Sequence, residues 1–457
     1  MPKVRRSKMP RKIVIIGAHA AAVDAASAAR KTDRTAEIIL ITTEKHAGYS
    51  RCGIPFVVGG HIPKFTDLIV YPSSYYQMMK LDLRRETTAT NIDTKTKTVE
   101  IQDKTGKQET LAYDSLIIAT GANAFIPPIK GKEKPGIFTV RTLEDGEKIS
   151  QAIEKGAKTA IVMGAGLIGL EVAIGLTERG VKTTVVEMLP QIMPVMLDAD
   201  MAKGVQEMVE AKGITILIGK GVEEFTGTDS VTGVIASGQE IKADICVAAF
   251  GVRAATELAQ KAGLALGETK AIKVNPKMET SVPGVYAIGD CAETTHMITQ
   301  RPALPQLGTV AVKQGKVAGT NAAGGYAIFP GVLGSAVTKF FDTEIGVTGL
   351  NEFFAKRAGL EPVAATISGK TRAQYYPGAQ PIRVKIVVEK EMERVIGAQI
   401  IGAEDVTQRI NAISMGIQKQ MTVRELAKSD TCYAPPLCET WELMALAAEA
   451  AVMKLSR

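Results

Sequence analysis

The sequence is poor in the residues that build metal sites and disulfide frameworks. Its five cysteines stand at positions 52, 246, 291, 432 and 438. An odd number, spread this thinly, excludes a disulfide scaffold and fits a reducing, cytoplasmic compartment. Histidine is scarcer: four residues, at 19, 46, 61 and 296, with none in the last third. No Cys/His spacing resembles a zinc site, and no metal is expected. Long apolar runs are also missing. The best candidate for a membrane span, 160–176, is broken by Glu171 and holds four glycines, against the roughly 20 uninterrupted apolar residues a span needs. No apolar h-region leading to a cleavage site follows the basic start of the chain, so no secretory leader is expected. The net charge of +7 is concentrated in residues 1–12, which hold six Lys/Arg and no acid. The rest is near neutral. Residues 1–11 therefore read as a basic tail, and nucleic acid is not an expected partner.

What is present is ordinary globular composition, 46% apolar and 23% charged over 457 residues, enough for about three domains at roughly 150 residues each. Three segments carry chemistry. Residues 13–17 (IVIIG), a helical stretch over 20–30, the run EIILIT (37–42) and then Glu44 give strand, turn, helix, strand and acid. A dinucleotide site needs that order, with N–H groups at a pyrophosphate and an acid on the ribose. The turn GAHAAA, from Gly17, has His19 and Ala22 where glycines usually sit, so alone it suits a βαβ unit without ligand equally well. The second segment, 158–188, has Gly164, Gly166 and Gly169 as a full GxGxxG between strand and helix, with Glu187 closing the next strand. Glu187 followed by Met188 predicts NADH in preference to NADPH. The third, TSVPGVYAIGDCAE (280–293), delivers Asp290 to the end of a strand, where ligands of α/β sheets sit. With ATG (119–121), it suggests a flavin held by the first and third segments and a nicotinamide by the second. The nicotinamide unit is then inserted in the flavin unit.

That order resembles the flavoprotein pyridine nucleotide–disulfide oxidoreductases. GYSRCGIPFVVGG (48–60) looks like the redox-cysteine segment of their single-cysteine branch, which holds coenzyme A disulfide reductases, polysulfide or sulfur reductases, NADH oxidases and NADH peroxidases. Val57 stands where the two-cysteine branch has its partner cysteine, and that branch's C-terminal His–Glu pair has no match here. RTLEDGEKI (141–149), LPQLGTVAVKQGKVAGTNAAGG (304–325), TKFFDTEIGVTGLNE (338–352), YYPGAQPIRVKI (375–386), IGAQIIGAEDVTQRINAI (396–413) and CYAPP (432–436) extend the resemblance over nearly the whole chain. It implies an α/β chain with two doubly wound, Rossmann-like domains and an α+β dimerisation domain. The expected boundaries are 12–145 and 267–328 for FAD, 146–266 for NAD and 329–457 for dimerisation.

The same resemblance implies a cycle in which NADH reduces FAD, and FAD reduces a disulfide involving Cys52. The freed Cys52 then attacks a low-molecular-weight disulfide, persulfide or polysulfide, coenzyme A disulfide among them. Cys52 stands just before a helix start at Pro55, where exposed N–H groups would stabilise a thiolate. Tyr433 and Tyr376 match two tyrosines of the partner subunit that line this site in coenzyme A disulfide reductases, so a homodimer is expected. The cofactor-binding set is Gly17, Glu44, Thr120, Gly121, Gly164, Gly166, Ile168, Gly169, Glu171, Glu187, Gly251, Gly289 and Asp290. Lys31 matches a coenzyme-contacting base, and Arg51, beside Cys52, suits an anionic substrate. Departures stand beside these matches. Gly48, Arg51 and Trp441 replace a Ser, an Asn and a Lys that contact coenzyme A, and Ala20 stands where peroxidases have a histidine. An oxidase cycling through a Cys52 sulfenic acid remains a second reading, and an electron-entry subunit of a larger complex a third. Cys246 and Cys291 read as structural. Cys432 and Cys438 flank YAPPL and read either as a resolving pair or as incidental thiols near an interface.

Overall fold

The computed structural model describes residues 10–456; most of the basic tail, residues 1–9, lies outside the described residues, as does Arg457. Two parallel five-stranded sheets are built on one plan. In the first, β-branched runs form Lys12–Ile16, Glu37–Ile41 and Ser115–Ile118, which pair in the order Val285–Ala287, Ser115–Ile118, Lys12–Ile16, Glu37–Ile41, Asp82–Arg84. In the second the order is Thr215–Leu217, Lys182–Val186, Thr159–Met163, Ile245–Ala248, Ile137–Phe138. The near-continuous burial of these strands is that of parallel sheets covered on both faces.

Each sheet takes an edge strand from outside its own run of chain. Val285–Ala287 returns to the first sheet after the whole second unit, and Ile137–Phe138 joins the second sheet from ahead of residue 146. The inserted unit's sheet thus begins earlier than the sequence boundary placed it.

The C-terminal unit is an antiparallel sheet in the order Ala336–Phe340, Thr343–Gly349, Val395–Gly402, Pro381–Glu389, Pro362–Lys370, with the helices Val406–Gln418 and Leu443–Leu455 packed on it. The units are not independent. One apolar core runs from Ile54 and Val57 of the cysteine segment through the second sheet to Phe340 and Ile345 of the third. A buried ammonium joins them as well. Lys385 lies 3.0 Å from Asp198, 2.7 Å from Asp200 and 3.1 Å from Glu352. Gln399 completes the shell, donating to Asp198 at 2.6 Å and accepting from its amide at 2.9 Å. No described helix is long and apolar enough to cross a membrane.

Candidate active site

The two nucleotide turns are built by exclusion of side chains. Gly17 has φ +130°, and a Cβ there would lie 2.3 Å from the Ala119 carbonyl oxygen. Gly164 has φ +107°, and its Cβ would lie 2.4 Å from that of Ala249. Only glycine lets strand and turn approach so closely. The helices that follow, Ala20–Thr32 and Leu167–Glu178, carry no side-chain cap at their N-termini. Their leading N–H groups therefore face outward toward the ligand side, as a pyrophosphate requires. Ala22, in place of the third glycine of the first turn, is buried against its sheet without obstruction. Both cradles fit a dinucleotide, one for FAD and one for NAD(P)H. Ile168 sits half-open in the first turn of the second helix.

Thr120, Gly121 and Gly251 are brought together by a two-stranded ribbon, Ala122–Ala124 with Val252–Ala254, that bridges the two units. Thr120 donates to the Ala255 carbonyl at 2.7 Å. Gly289 leads the short turn that presents Asp290, and its amide donates to Gln314 at 2.7 Å.

Glu187 is buried at the end of its strand. Its two oxygens accept from the amides of Ala165 at 2.7 Å and Leu189 at 2.8 Å, which fixes the glycine turn and leaves lone pairs for a ribose. Glu44 makes three contacts within the chain. One oxygen is 3.0 Å from His19 Nε2 and also accepts from Arg51, while the other accepts from Tyr49 Oη at 2.5 Å. Burial opposes its ionisation, but the His19, Arg51 and Tyr49 contacts prevail and hold the carboxyl down at about 2. Burial in turn lowers His19, despite the opposing hydrogen bond to Glu44. The imidazole is therefore neutral, donating from Nε2 with Nδ1 unpartnered. Arg51 is tied in as well. Besides Glu44 it donates to the Arg141 carbonyl at 2.5 Å, and it lies 5.3 Å over the Tyr49 ring. It links the cysteine segment to the segment of Arg141.

Cys52 lies in a 3-10 turn, Arg51–Gly53, that leads into a five-residue helix, Ile54–Val58. Its residue is solvent-exposed. The thiol faces Glu171, from the second nucleotide unit, and Asp290, from the first. Burial of the sulfur, then the charges of Glu171 and Asp290, push it above the usual thiol range, with Arg141 opposing. Burial and the two carboxylates together outweigh Arg141 and the backbone hydrogen bond, which act to lower it. Arg141 ties the site together, pairing with Asp290 at 2.9 Å. Thr338, from the C-terminal sheet, donates to Glu171 at 2.7 Å. Burial raises the Glu171 carboxyl against that bond.

Lys31 is exposed in the last turn of its helix. Of the two adjacent tyrosines, Tyr375 is the one that meets Tyr433, the hydroxyls 2.9 Å apart; the hydrogen bond of Tyr376 is from its amide to the Ala373 carbonyl. Sequence reasoning missed Tyr375, Thr338 and Arg141. Arg141 stood in a segment quoted only as a link, and an arginine before a capping box gave the one available signal. Cys246 and Cys291 are buried. Among the described residues no cluster of three His, Cys, Asp or Glu could hold a metal.

The chain matches two family patterns, pyridine nucleotide-disulphide oxidoreductase over residues 11–315 and the corresponding dimerisation domain over 335–445. It is 45% identical to an NADH oxidase from Methanocaldococcus jannaschii, over 97% of this chain and 99% of that protein. Identity to an NAD(P)H sulfur oxidoreductase (CoA-dependent) from Pyrococcus furiosus is 34%, over 94% of this chain and 97% of that one. Among solved structures, an NAD-dependent persulfide reductase from A. fulgidus superposes with a TM-score of 0.95 at 40% identity, covering 97% of this chain and 84% of that one. With both cradles, the bridging ribbon and the cysteine turn in place, the chain belongs to the pyridine nucleotide-disulphide oxidoreductases and is an NAD(P)H-dependent flavoprotein enzyme.

Proposed function

We infer that the enzyme is a single-cysteine reductase of low-molecular-weight disulfides, persulfides or polysulfides, with Cys52 as its nucleophile. The observation that carries this reading is the position of Cys52: an exposed residue whose thiol lies between Glu171 of one nucleotide unit and the Asp290–Arg141 pair of the other. The names of the Pyrococcus furiosus and A. fulgidus proteins support sulfur chemistry at such a site.

The overall reaction for a disulfide is RSSR + NADH + H⁺ → 2 RSH + NAD⁺. Bound FAD supplies two-electron relay between nicotinamide and sulfur. The chain's own residues do the rest. Cys52 attacks one sulfur, releasing the first thiolate and leaving a mixed disulfide; with polysulfide it is left as a persulfide. Arg141 holds Asp290 and opposes the carboxylates that keep the thiol protonated. Tyr433, with Tyr375 hydrogen-bonded to it, offers a phenol to the leaving thiolate. These phenols lie on the unit that matches the dimerisation domain, and the reading has them supplied by a second copy of the chain. Glu187 supports NADH over NADPH, since a carboxylate at the ribose repels a 2′-phosphate.

The test is anaerobic NADH oxidation by wild type and Cys52→Ser, offered coenzyme A disulfide, polysulfide and oxygen in turn. Turnover with a sulfur substrate that falls at least about 10²-fold in the variant is expected. Equal turnover in the two proteins defeats the reading. Turnover with oxygen alone favours the oxidase suggested by the Methanocaldococcus jannaschii relative.

A further inference from the structure

Two thiols take no part in that reaction. They lie between the helices Val423–Ala427 and Leu443–Leu455, in an irregular segment with one turn, where the amides of Leu437 and Cys438 donate to the Ala434 carbonyl at 2.9 and 3.1 Å. The turn folds the chain back on itself. As a result Cys438 Sγ donates to the Cys432 carbonyl at 3.2 Å. Cys432 is exposed, Cys438 half-buried, and both are free.

A third group belongs to this cluster. Arg409, with only 8% of its side chain exposed, is paired through Nε to one oxygen of Glu442 at 2.6 Å and through Nη2 to the other at 3.1 Å. Its Nη1 is buried and has no partner. Glu442 follows Cys438 closely in the chain, so the Arg409–Glu442 pair is anchored at the end of the segment that carries this thiol. The unused N–H of a buried guanidinium can donate to a thiolate.

We propose that Cys432 and Cys438 form a second dithiol centre, which exchanges with the same low-molecular-weight disulfides as Cys52 and closes, when oxidised, a ring of chain that carries Tyr433. The substrate class rests on the function proposed above; the dithiol itself does not. Cys438, beside Arg409, attacks first. The S–S bond of RSSR breaks, a Cys438–S–S–R bond forms, and RS⁻ leaves, taking up the proton that Cys438 gave up. Cys432 then attacks the Cys438 sulfur. The Cys432–Cys438 bond forms, the second RS⁻ leaves and takes the Cys432 proton. Two electrons pass from the dithiol to the substrate, giving one internal disulfide and 2 RSH. The S–H···O contact brings the Cys438 sulfur to the backbone of Cys432, and closure requires the two side chains to turn toward each other into disulfide geometry. Pro435 and Pro436 restrict the intervening chain, so less freedom is lost on closure. Tyr433, whose hydroxyl lies 2.9 Å from that of Tyr375, is within the closed ring.

The experiment uses the FAD-loaded Cys52→Ser protein, so that Cys52 chemistry is silent. It is treated with coenzyme A disulfide, alkylated and mapped by mass spectrometry. The expected product is a peptide containing 432–438 with an internal disulfide and two equivalents of coenzyme A thiol released per chain. Adding Cys432→Ser is expected to stall the reaction at a Cys438–coenzyme A mixed disulfide with one equivalent released. Full alkylation of both cysteines after treatment, or an adduct on Cys432 in place of Cys438, overturns the proposal. A glutathione redox titration of the same protein separates the two readings. A single two-thiol step there, with wild type inert toward every sulfur substrate, sinks the reductase function and keeps the dithiol; no oxidation by excess glutathione disulfide sinks the dithiol alone.

Discussion

Glu44 has contacts that its position in the chain did not disclose. An acid soon after the second strand was assigned to a ribose because of its ordinal place. Within the chain it also meets Arg51, Tyr49 and His19. The consequence is measurable. The folded carboxyl sits at about 2, below its ordinary 4.5, so its contribution is present above pH 4.5 and is lost as pH falls toward 2. A gap of that size corresponds to on the order of 3 kcal/mol. Glu44→Gln is expected to lower unfolding free energy at pH 6–7 by that order, with the difference from wild type shrinking as pH falls to 3 in urea titrations. Glu187 makes the opposite case, since strand, glycines and acid were all legible in order. It also fixes the turn through Ala165 and Leu189. Glu187→Ser with Met188→Arg should therefore raise the NADPH-to-NADH ratio of kcat/KM roughly tenfold or more while lowering absolute turnover with NADH. The resemblance pointed to Tyr376, whereas the hydroxyl that meets Tyr433 within the chain is that of its neighbour Tyr375, since adjacent residues differ in the direction the backbone gives them.

The cysteine turn is positioned by a helix crossing that the sequence did not disclose. The helices Ile54–Val58 and Leu167–Glu178 touch through glycines: a Cβ on Gly175 would lie 3.0 Å from the Gly59 Cα, and one on Gly59 would lie 2.9 Å from the Gly175 Cα. Gly175 lay inside an apolar helix whose pattern gave no direction to its faces. Backbone cannot yield as a flexible side chain can, so Gly175→Ala is expected to cost about 1–3 kcal/mol. It should also displace the Cys52 turn, lowering NADH turnover with FAD content preserved. Gly204 is the control. It lies in the helix Ala199–Ala211 with nothing near its missing Cβ, and Gly204→Ala should stabilise the fold by roughly 0.5–1 kcal/mol. Urea midpoints of the two variants should move in opposite directions.

Lys385 is the joint between the inserted unit and the C-terminal sheet. Its ammonium is buried among Asp198, Asp200 and Glu352, drawn from both sides of the boundary. Burial works against its charge, but the hydrogen bonds and charges of Asp200 and Asp198 raise it overall. Its stabilisation is therefore complete at neutral pH and is lost only in strong alkali. Lys385→Met leaves three carboxylates without their cation and is expected to cost about 3–5 kcal/mol in denaturant unfolding at pH 7. The two nucleotide units were legible because the strand, glycine turn, helix and acid recur in both, and the C-terminal unit through the family resemblance. The joint was not, since a lysine in an apolar strand looks the same whether it faces water or three acids.

The edge strands carry a different consequence, in time rather than in space. During synthesis the first sheet stands one strand short until Val285–Ala287 leaves the ribosome. The alanine face of the helix Ala20–Thr32 waits longer still for Gly308–Ala322, whose Gly315 and Gly319 press against the backbone of Ala21 and Ala25. The inserted unit has all five of its strands by residue 248. The part of the chain made second is thus the first able to finish folding, and the N-terminal unit is the one a nascent-chain chaperone would have to hold.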